Sequence, residues 1–354
     1  MRSIWRQKTG IITGLILGMI IGAGGLIFIS PPSGITTSYS ITTAGSTTVY
    51  PLSQVWATYF HADNPGLTLN PSTGGSGLGQ SLVSQGLIDV GASSSYPKQE
   101  YIDDNPHVAV IPISADALAI IVNEEVNGSV FKMDCDMAVA VFQREVTTWD
   151  EFASIFGVSV LQTGTIDVYV RSDASGTTAT FAKWLETANQ NINPNGAEYE
   201  WTLGHEEALS FPAGVNAVDG NPSVSSGVLS DDHGIGYVSL AFMEGAVIVD
   251  LYNPGNGEWI SPSIVNTVKA IPTNLTSVDQ DLMNSEIIGA YPIARLLFYL
   301  VNREFLRTYT VTFLAWCLFR GQTHVPDAGY VPINGTSAQQ YALNIISDLV
   351  RNLS

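Results

Sequence analysis

Three short segments rich in Gly, Ser and Thr could bind an anion with very few charged side chains. They are AGSTTVYPL (44–52), STGGSGLGQSL (72–82) and RSDASGTTATF (171–181), and each lies between a β-rich run and a helical pattern. The first turn of a helix has backbone N–H groups without internal partners, and the helix dipole adds partial positive charge there. Glycines permit close approach and hydroxyls add donors, so three converging junctions could replace the hydration shell of a tetrahedral oxyanion.

Arg171 is the one cation at these segments, and it ends the strand-like run before the third of them. Its guanidinium could form bidentate hydrogen bonds to an oxyanion, and Asp173 could hold it in place while lowering the net charge of the site. The alternative is a surface ion pair of little energetic value. Each segment taken alone could also be an ordinary helix cap, because Ser and Thr are favoured N-cap residues.

The second segment nearly matches a nucleotide-binding P-loop, since Gly74 and Gly79 bracket four residues. Gln80 stands where the lysine of a P-loop would contact the phosphates of a nucleotide. The missing cation argues against nucleotide binding.

The composition excludes some classes of ligand. The 354 residues include 14 Lys+Arg and 32 Asp+Glu, giving a net charge of −18, whereas nucleic-acid binding needs clustered basic residues. Long-range attraction of an anion is unfavourable for such a chain, so short-range dipoles and hydrogen bonds must hold it. The five histidines are isolated and no C-x-x-C spacing occurs, so we predict no metal site and no cofactor. Cys135 and Cys317 could pair, or Cys317 could be a free thiol in its apolar run.

The N-terminus indicates export. Three basic residues precede an uncharged apolar run at residues 11–29. A run of this length is typical of a membrane anchor or of a signal peptide, and its basic flank would remain in the cytoplasm. We therefore expect residues 1–30 to be a signal anchor or a cleaved signal peptide, with an uncleaved transmembrane helix favoured. Residues 31–38 are predicted to form a short polar tether.

Beyond the tether, apolar runs alternate with helical patterns, which predicts an α/β fold. Two similar apolar runs that end in Val-Asn, ALAIIVN (117–123) and RLLFYLVN (295–302), would supply the two hinge crossings of a two-lobed protein. On this interpretation, residues 39–120 and 291–354 form lobe 1 and residues 121–290 form lobe 2. A single domain is the weaker alternative for a chain of this length.

The predicted elements follow from these runs. The strands are expected at 40–44, 67–72, 107–114, 117–123, 166–171, 234–239, 246–252 and 295–302, and the helices at about 48–60, 76–85, 176–189 and through TVTFLAWCLF (310–319).

The chain resembles the periplasmic phosphate-binding proteins of phosphate ABC transporters, from about residue 40 to the C-terminal region. The motifs that carry the resemblance are GSTT (45–48), GGSG (74–77), IDVGASS (88–94), RSDASGTT (171–178), GIGYVS (234–239) and YPIARLLFYLVN (291–302). The resemblance implies a type II two-lobed binding-protein fold with two hinge crossings.

The resemblance also implies a set of phosphate contacts. These are Thr47, Thr48, Ser76, Ser94, Arg171, Ser175, Gly176 and Thr177, with Asp173 supporting Arg171. Many family members have an aspartate at the position of Ser94, where it accepts the proton of hydrogen phosphate and rejects sulfate. A serine hydroxyl can donate or accept, so discrimination between the two anions is expected to be weaker.

The implied function is capture of inorganic phosphate outside the membrane and its delivery to the permease of an ABC transporter. We expect a monomer with no enzymatic activity. A binding protein for sulfate, molybdate or tungstate is the first alternative. A secreted phosphatase or serine hydrolase is disfavoured, because no loop serine lies in a G-x-S-x-G elbow and no histidine is near the loops in sequence. A surface sensor or adhesin is a further alternative.

Overall fold

The computed structural model describes residues 38–126, 131–190, 194, 199–277 and 279–352. The predicted N-terminal anchor and nearly all of the tether lie outside this range. Among the helices of the described range, none is long and apolar enough to cross a membrane.

The described residues form a mixed α/β fold. The strands are β1 (Tyr39–Gly45), β2 (Leu67–Pro71), β3 (Val90–Ser93), β4 (Val108–Val122), β5 (Phe131–Met133), β6 (Asp167–Arg171), β7 (Val215–Val218), β8 (Gly234–Ser239), β9 (Val247–Asn253), β10 (Glu258–Ile260) and β11 (Ala294–Asn302). The α-helices are α1 (Tyr50–Asp63), α2 (Ser76–Ser84), α3 (Gln99–Asp104), α4 (Cys135–Phe142), α5 (Trp149–Phe156), α6 (Gly176–Leu185), α7 (Gly220–Ser230), α8 (Ile264–Val268), α9 (Thr308–Leu318) and α10 (Ser337–Asn352). Short 3-10 helices cover Glu186–Gln190, Leu240–Phe242, Arg320–His324 and Pro326–Ala328.

Strand β4 connects the two halves of the sheet, whose order is β2-β1-β3-β11-β4-β8-β6-β7. Residues 108–112 and 114–117 pair with β11, and the last five residues (118–122) pair with β8, in both cases antiparallel. All 15 residues of β4 are buried, which explains the continuous apolar sequence. The fold is therefore the expected two-lobed one, with β4 running from one lobe into the other.

The two apolar runs predicted at 107–114 and 117–123 are a single strand, β4. Pro112 lies inside it and has no N–H to donate to β11. The pairing of β4 with β11 shifts register between Leu297 and Phe298, where Phe298 stands opposite Pro112. A bulge at this point accommodates the proline without ending the strand.

Aromatic clusters fill the core of each lobe. Edge-to-face contacts join α1 to α9, and they involve Trp56, Phe60, Phe313 and Trp316. In the second lobe a fully buried tyrosine of β8, Tyr237, stacks on a phenylalanine of α6 with ring centroids 4.3 Å apart. These contacts fix the helices α1 and α6, whose first turns belong to the predicted loops.

The three predicted strand–turn–helix junctions are present, with small shifts of their ends. Helix α1 begins at Tyr50, two residues later than predicted, with Pro51 in its first turn. Helix α6 begins at Gly176 as predicted but ends at Leu185 and continues as 3-10 helix.

Candidate functional site

The three Gly/Ser/Thr junctions meet in space. Ser76, the first residue of α2, accepts hydrogen bonds at its Oγ from the N–H of Ser94 (3.1 Å) and from the N–H of Gly176 (3.4 Å). The hydroxyls of Thr48 and Thr177 lie 2.9 Å apart. These contacts join residues separated by 18 to 129 positions, and the two longer-range ones connect the half of the sheet that contains β1 to the half that contains β6.

Two serines accept hydrogen bonds from backbone N–H groups near the starts of α1 and α6. Ser46 Oγ accepts from the N–H groups of Thr48 and Val49, and Ser175 Oγ accepts from those of Thr177 and Thr178, all at 3.1–3.3 Å. The capping interpretation is therefore correct for Ser175, the N-cap of α6, whereas the N-cap of α1 is Val49 and has no side-chain hydrogen bond. Capping does not exclude a second role, because each hydroxyl still has its hydrogen to donate.

Glycines permit the close packing of the junctions. A Cβ on Gly75, which has φ +87°, would lie 2.5 Å from the carbonyl oxygen of Ala174 in the third junction. A Cβ on Gly176 would lie 2.7 Å from the backbone nitrogen of Ser95 and 2.8 Å from Ser94 Oγ. Any larger residue at these two positions would force the lobes apart.

Arg171 and Asp173 form a buried ion pair. Arg171 Nε donates to Asp173 Oδ1 at 2.6 Å, and a second bond joins Nη2 to Oδ2. Gly220 N also donates to Oδ1, at 3.2 Å. Burial alone would raise the pKa of Asp173, but the hydrogen bonds and charge of Arg171 outweigh it and hold the pKa below its ordinary value. Arg171 Nη1 is buried without a partner in the described part of the chain.

Arg295, a residue of β11, is a second cation of the site, so the expectation that Arg171 is the only one is wrong. Its side chain donates to the carbonyl of Gly176 and to Thr177 Oγ1, both at 3.1 Å, and approaches Thr48 Oγ1 at 3.5 Å. Asp116 of β4 pairs with it at 2.7 Å and is completely buried. The signal in the sequence was a lone arginine inside an apolar run, whose charge needs a partner when it is buried.

A fourth strand–turn–helix junction, from β7 to α7, also reaches the site. Asn221 is fully buried, and its Nδ2 donates to Thr48 Oγ1 at 2.8 Å. The neighbouring Gly220 lies beside Thr47. The sequence turn VDG (218–220) resembles a family turn too weakly for contacts to be assigned to it, and the role of this junction follows from the structure alone.

Ser94 and an unexpected carboxylate lie on the same side of the site. Ser94 is buried with its Oγ 3.2 Å from Ser76 Oγ. Glu207 accepts from Ser95 Oγ at 2.7 Å and from Gln80 Nε2 at 3.1 Å. Burial raises its pKa above the ordinary value, although these hydrogen bonds oppose the shift. No sequence pattern indicated Glu207, since it lies far along the chain in a segment without regular structure.

All the predicted contacts are in a closed arrangement. Thr48, Ser76, Ser94 and Ser175 are between 0% and 1% exposed. A cavity of about 810 Å³ lies between the lobes and borders the site at Gln80, Ser95, Glu207 and Arg295, but none of the predicted contacts lines it. An anion can therefore reach these hydroxyls only when the lobes separate.

Three side chains away from this site could in principle hold a cation. The ligand atoms of Asp167, Asp231 and His233 lie within 4.8 Å of one another. Protein groups already occupy them in part: Asp231 accepts from the hydroxyl of Tyr169 at 2.8 Å, and His233 Nε2 lies 3.0 Å from the carbonyl of Thr163. The two cysteines are free and buried, so the pairing considered from the sequence does not occur.

Comparison with known proteins agrees with this architecture. The family model of the PBP superfamily domain matches residues 30–318. The phosphate-binding protein PstS of Xylella fastidiosa is 26% identical over 318 residues, covering 86% of this chain and 84% of that protein. The phosphate-binding protein of Stenotrophomonas maltophilia superposes with a TM-score of 0.64 at 14% identity, covering 86% of this chain and 94% of that one. The ABC-type phosphate transport receptor of Vibrio cholerae gives a TM-score of 0.57 at 17% identity, covering 83% and 100%.

Proposed function

The chain belongs to the PBP superfamily, and from this premise we propose that it captures inorganic phosphate outside the membrane and delivers it to the permease of an ABC transporter. The names of its relatives support phosphate as the ligand. The convergence of four helix N-termini on one buried, donor-rich site supports the same assignment.

The observation that carries the proposal is a set of donors without acceptors. Arg171 Nη1 and Thr47 Oγ1 are buried and have no partner within the described residues. Leaving a buried donor unpaired costs roughly 1–3 kcal/mol, more for a charged group. A bound oxyanion would supply the acceptors, together with one for the hydroxyl hydrogen of Ser175.

The charge balance of the site suits reversible binding. Asp173 accompanies Arg171 and Asp116 accompanies Arg295, so the two buried cations are each neutralised. The anion is then held mainly by hydrogen bonds and helix dipoles, which spread its charge without a single dominant ion pair. Opening of the lobes breaks the interlobe hydrogen bonds and releases the anion to the permease.

We also propose the organisation expected from the sequence. Residues 39–120 and 291–354 form lobe 1, residues 121–290 form lobe 2, and residues 1–30 anchor the protein to the membrane through the tether at 31–38. The protein acts as a monomer outside the cytoplasm. The change of pairing partner within β4 supports a boundary near residue 118.

A carrier for another oxyanion is the second candidate, and Ser94 favours it, because a hydroxyl can donate to an unprotonated anion such as sulfate. An enzymatic role has less support. Each of the five histidines has hydrogen-bond partners in the described residues, and none of these partners is a hydroxyl of the site. A general base for a serine nucleophile is therefore not in place.

Isothermal titration of the full-length protein, purified in detergent and dialysed free of phosphate, tests the proposal. We expect one phosphate per chain and weaker binding of sulfate, molybdate and tungstate. Saturating phosphate at about 100 times Kd should stabilise the fold by about 2.7 kcal/mol. Absence of saturable heat with phosphate would refute the proposal, and tighter binding of another oxyanion would replace phosphate with that anion.

A further inference from the structure

Three buried polar atoms near the predicted contacts have no hydrogen-bond partner in the described part of the chain. They are Thr47 Oγ1, Arg171 Nη1 and Asn221 Oδ1. Their chemistry differs: the guanidinium can only donate, the hydroxyl can donate or accept, and the amide oxygen can only accept. A fully unprotonated anion has no hydrogen to donate, so a buried group that only accepts would remain without a partner in its presence.

The first turn of α7 contacts residues next to each of these three atoms. Asn221 donates through Nδ2 to Thr48 Oγ1 at 2.8 Å, so its Oδ1 is the other end of an amide already placed among the predicted contacts. The preceding residue, Gly220, packs against Thr47 and donates its N–H to Asp173, the partner of Arg171. Helix α7 has 11 residues, and its N-terminus therefore adds a positive dipole end to the site.

The hydroxyl oxygens of the site already accept hydrogen bonds from protein groups, so these hydroxyls can act toward a ligand only as donors. Ser76 Oγ and Ser175 Oγ each accept two backbone N–H groups, which fill their lone pairs. Thr177 Oγ1 accepts from Arg295 Nη2. The hydrogen of Ser76 goes to Ser94 Oγ, whereas Ser175 and the Thr48–Thr177 pair each leave one hydrogen, which matches the unprotonated oxygens of an anion.

We propose that Asn221 Oδ1 accepts the proton of monohydrogen phosphate and makes Asn221 the residue that separates phosphate from sulfate. This inference rests on the proposed function and names the specificity of the same site. Hydrogen phosphate has one P–O–H group to donate to Oδ1. Sulfate has none at neutral pH, and it would place an oxygen against the amide oxygen with no hydrogen between them.

Ser94 is a weaker discriminator than Asn221. In the contact with Ser76, Ser94 Oγ is the acceptor, because the lone pairs of Ser76 are already filled. The hydrogen of Ser94 is then free, and it can turn toward an unprotonated oxygen as readily as the oxygen of Ser94 can accept from a protonated one. An amide oxygen has no hydrogen to turn into the contact, so its preference for a protonated ligand is fixed.

Titrations of the full-length wild type, Asn221→Ala and Asn221→Asp with sodium phosphate and sodium sulfate, at mildly alkaline pH, test the inference. In Asn221→Ala the ratio of phosphate to sulfate affinity should fall about tenfold or more, the usual cost of one hydrogen bond to a buried acceptor. In Asn221→Asp sulfate affinity should fall by about 100-fold while phosphate affinity stays within about tenfold, because a carboxylate repels an unprotonated oxygen. Asn216→Ala, an exposed asparagine of β7, is the matched control and should leave the ratio unchanged.

Two results would overturn the inference while leaving the proposed function intact. One is an unchanged ratio in Asn221→Ala, particularly if Ser94→Ala lowers it. The other is equal loss of both anions in a folded Asn221→Asp, which would mean that the amide donates to the ligand. Failure of the wild type to bind phosphate would instead remove the proposed function and this inference with it. Circular dichroism and melting temperature establish that each variant is folded.

Discussion

Arg295 donates through Nη2 to the hydroxyl of Thr177 at 3.1 Å, across the boundary between the lobes. Because a guanidinium has no lone pair to offer, Thr177 must accept in this contact, and its hydrogen is directed elsewhere. The neighbouring Thr48 hydroxyl, 2.9 Å from that of Thr177, accepts from Asn221 in the same way. One of the two hydroxyls donates its hydrogen to the other, so the pair has one hydrogen left to donate to a ligand.

Replacing Arg295 should therefore affect folding and binding separately. Arg295→Gln leaves Asp116 buried and unpaired, and urea unfolding should show a loss of about 3–5 kcal/mol. Asp116→Asn/Arg295→Gln removes both charges and should recover most of that stability. Its phosphate affinity should remain about tenfold below wild type, because Thr177 and Thr48 are no longer oriented.

The exposed arginine of the pair Arg320–Asp63 provides the control for these variants. Arg320→Gln should change stability by no more than about 1 kcal/mol and leave phosphate affinity unchanged. Full recovery of phosphate affinity in the double variant would show that Arg295 only neutralises the charge of Asp116 and does not orient the threonine hydroxyls.

Ser175→Ala should weaken both its helix and the site. Loss of the N-cap costs about 1 kcal/mol of stability, and loss of the hydroxyl hydrogen should lower phosphate affinity about tenfold. Thr148→Ala is matched to it, because Thr148 caps α5 by the same kind of bond, to Glu151 N. It should lose similar stability and no affinity. Equal affinities in the two variants would remove Ser175 from the predicted contacts.

Arg171→Lys should bind phosphate at least about tenfold more weakly than wild type, although the charge is kept. Lysine lacks the planar fork that lets Nε and Nη2 pair with Asp173 while Nη1 remains available to a ligand. Calorimetry measures the affinity, and unfolding in urea shows whether the fold is intact. Wild-type affinity in this variant would mean that charge alone is required at position 171.

The lowered pKa of Asp173 predicts a specific dependence of stability on pH. Its ionised form is favoured in the folded state, so its contribution is present above the ordinary aspartate pKa and is lost as pH falls through the lowered one. The stability difference between wild type and Asp173→Asn should therefore be constant near neutrality and shrink in acid. A difference that does not change between neutral and strongly acidic pH would contradict the ion pair.

The contribution of Glu207 to stability should depend on pH in the opposite direction. Burial raises its pKa, so its carboxylate costs stability that is fully recovered below the ordinary glutamate value and lost again as pH rises through the raised one. Glu207→Gln should flatten the stability profile between weakly acidic and neutral pH. Glu304→Gln, which removes an exposed charge that does not contribute to the shift of Glu207, is the control. If both variants give the same profile, the cause is net charge and not the burial of Glu207.

Cys135 and Cys317 should be unreactive in the folded protein. Both thiols are free and fully buried, and burial raises the pKa of each, so little thiolate forms and reagents have no access. A thiol reagent should label two sites per chain in urea and none in buffer. Rapid labelling of the native protein would mean that one of these core regions opens readily.

Much of the fold could be predicted from the chain because its signals are local. The strand–turn–helix junctions at residues 44–52, 72–82 and 171–181 depend on glycines and hydroxyls within a few positions of one another, and all three are present. The break expected between 114 and 117 was wrong for a non-local reason. A bulge in the pairing with β11 accommodates Pro112, and neither run of sequence reveals that pairing.

The sequence by itself determined the α/β alternation, the two-lobed fold, the three Gly/Ser/Thr junctions and the pairing of Arg171 with Asp173, which are only two residues apart. Only the tertiary structure decided how these junctions face one another and which distant residues complete the site. Arg295, Asn221 and Glu207 approach it from positions 112 to 247 residues away from their partners Gln80, Ser95, Thr48, Thr177 and Gly176. The physical reason is that a buried charge or amide takes its hydrogen-bond partners from whatever folding brings within about 3 Å, and spacing along the chain does not encode that distance.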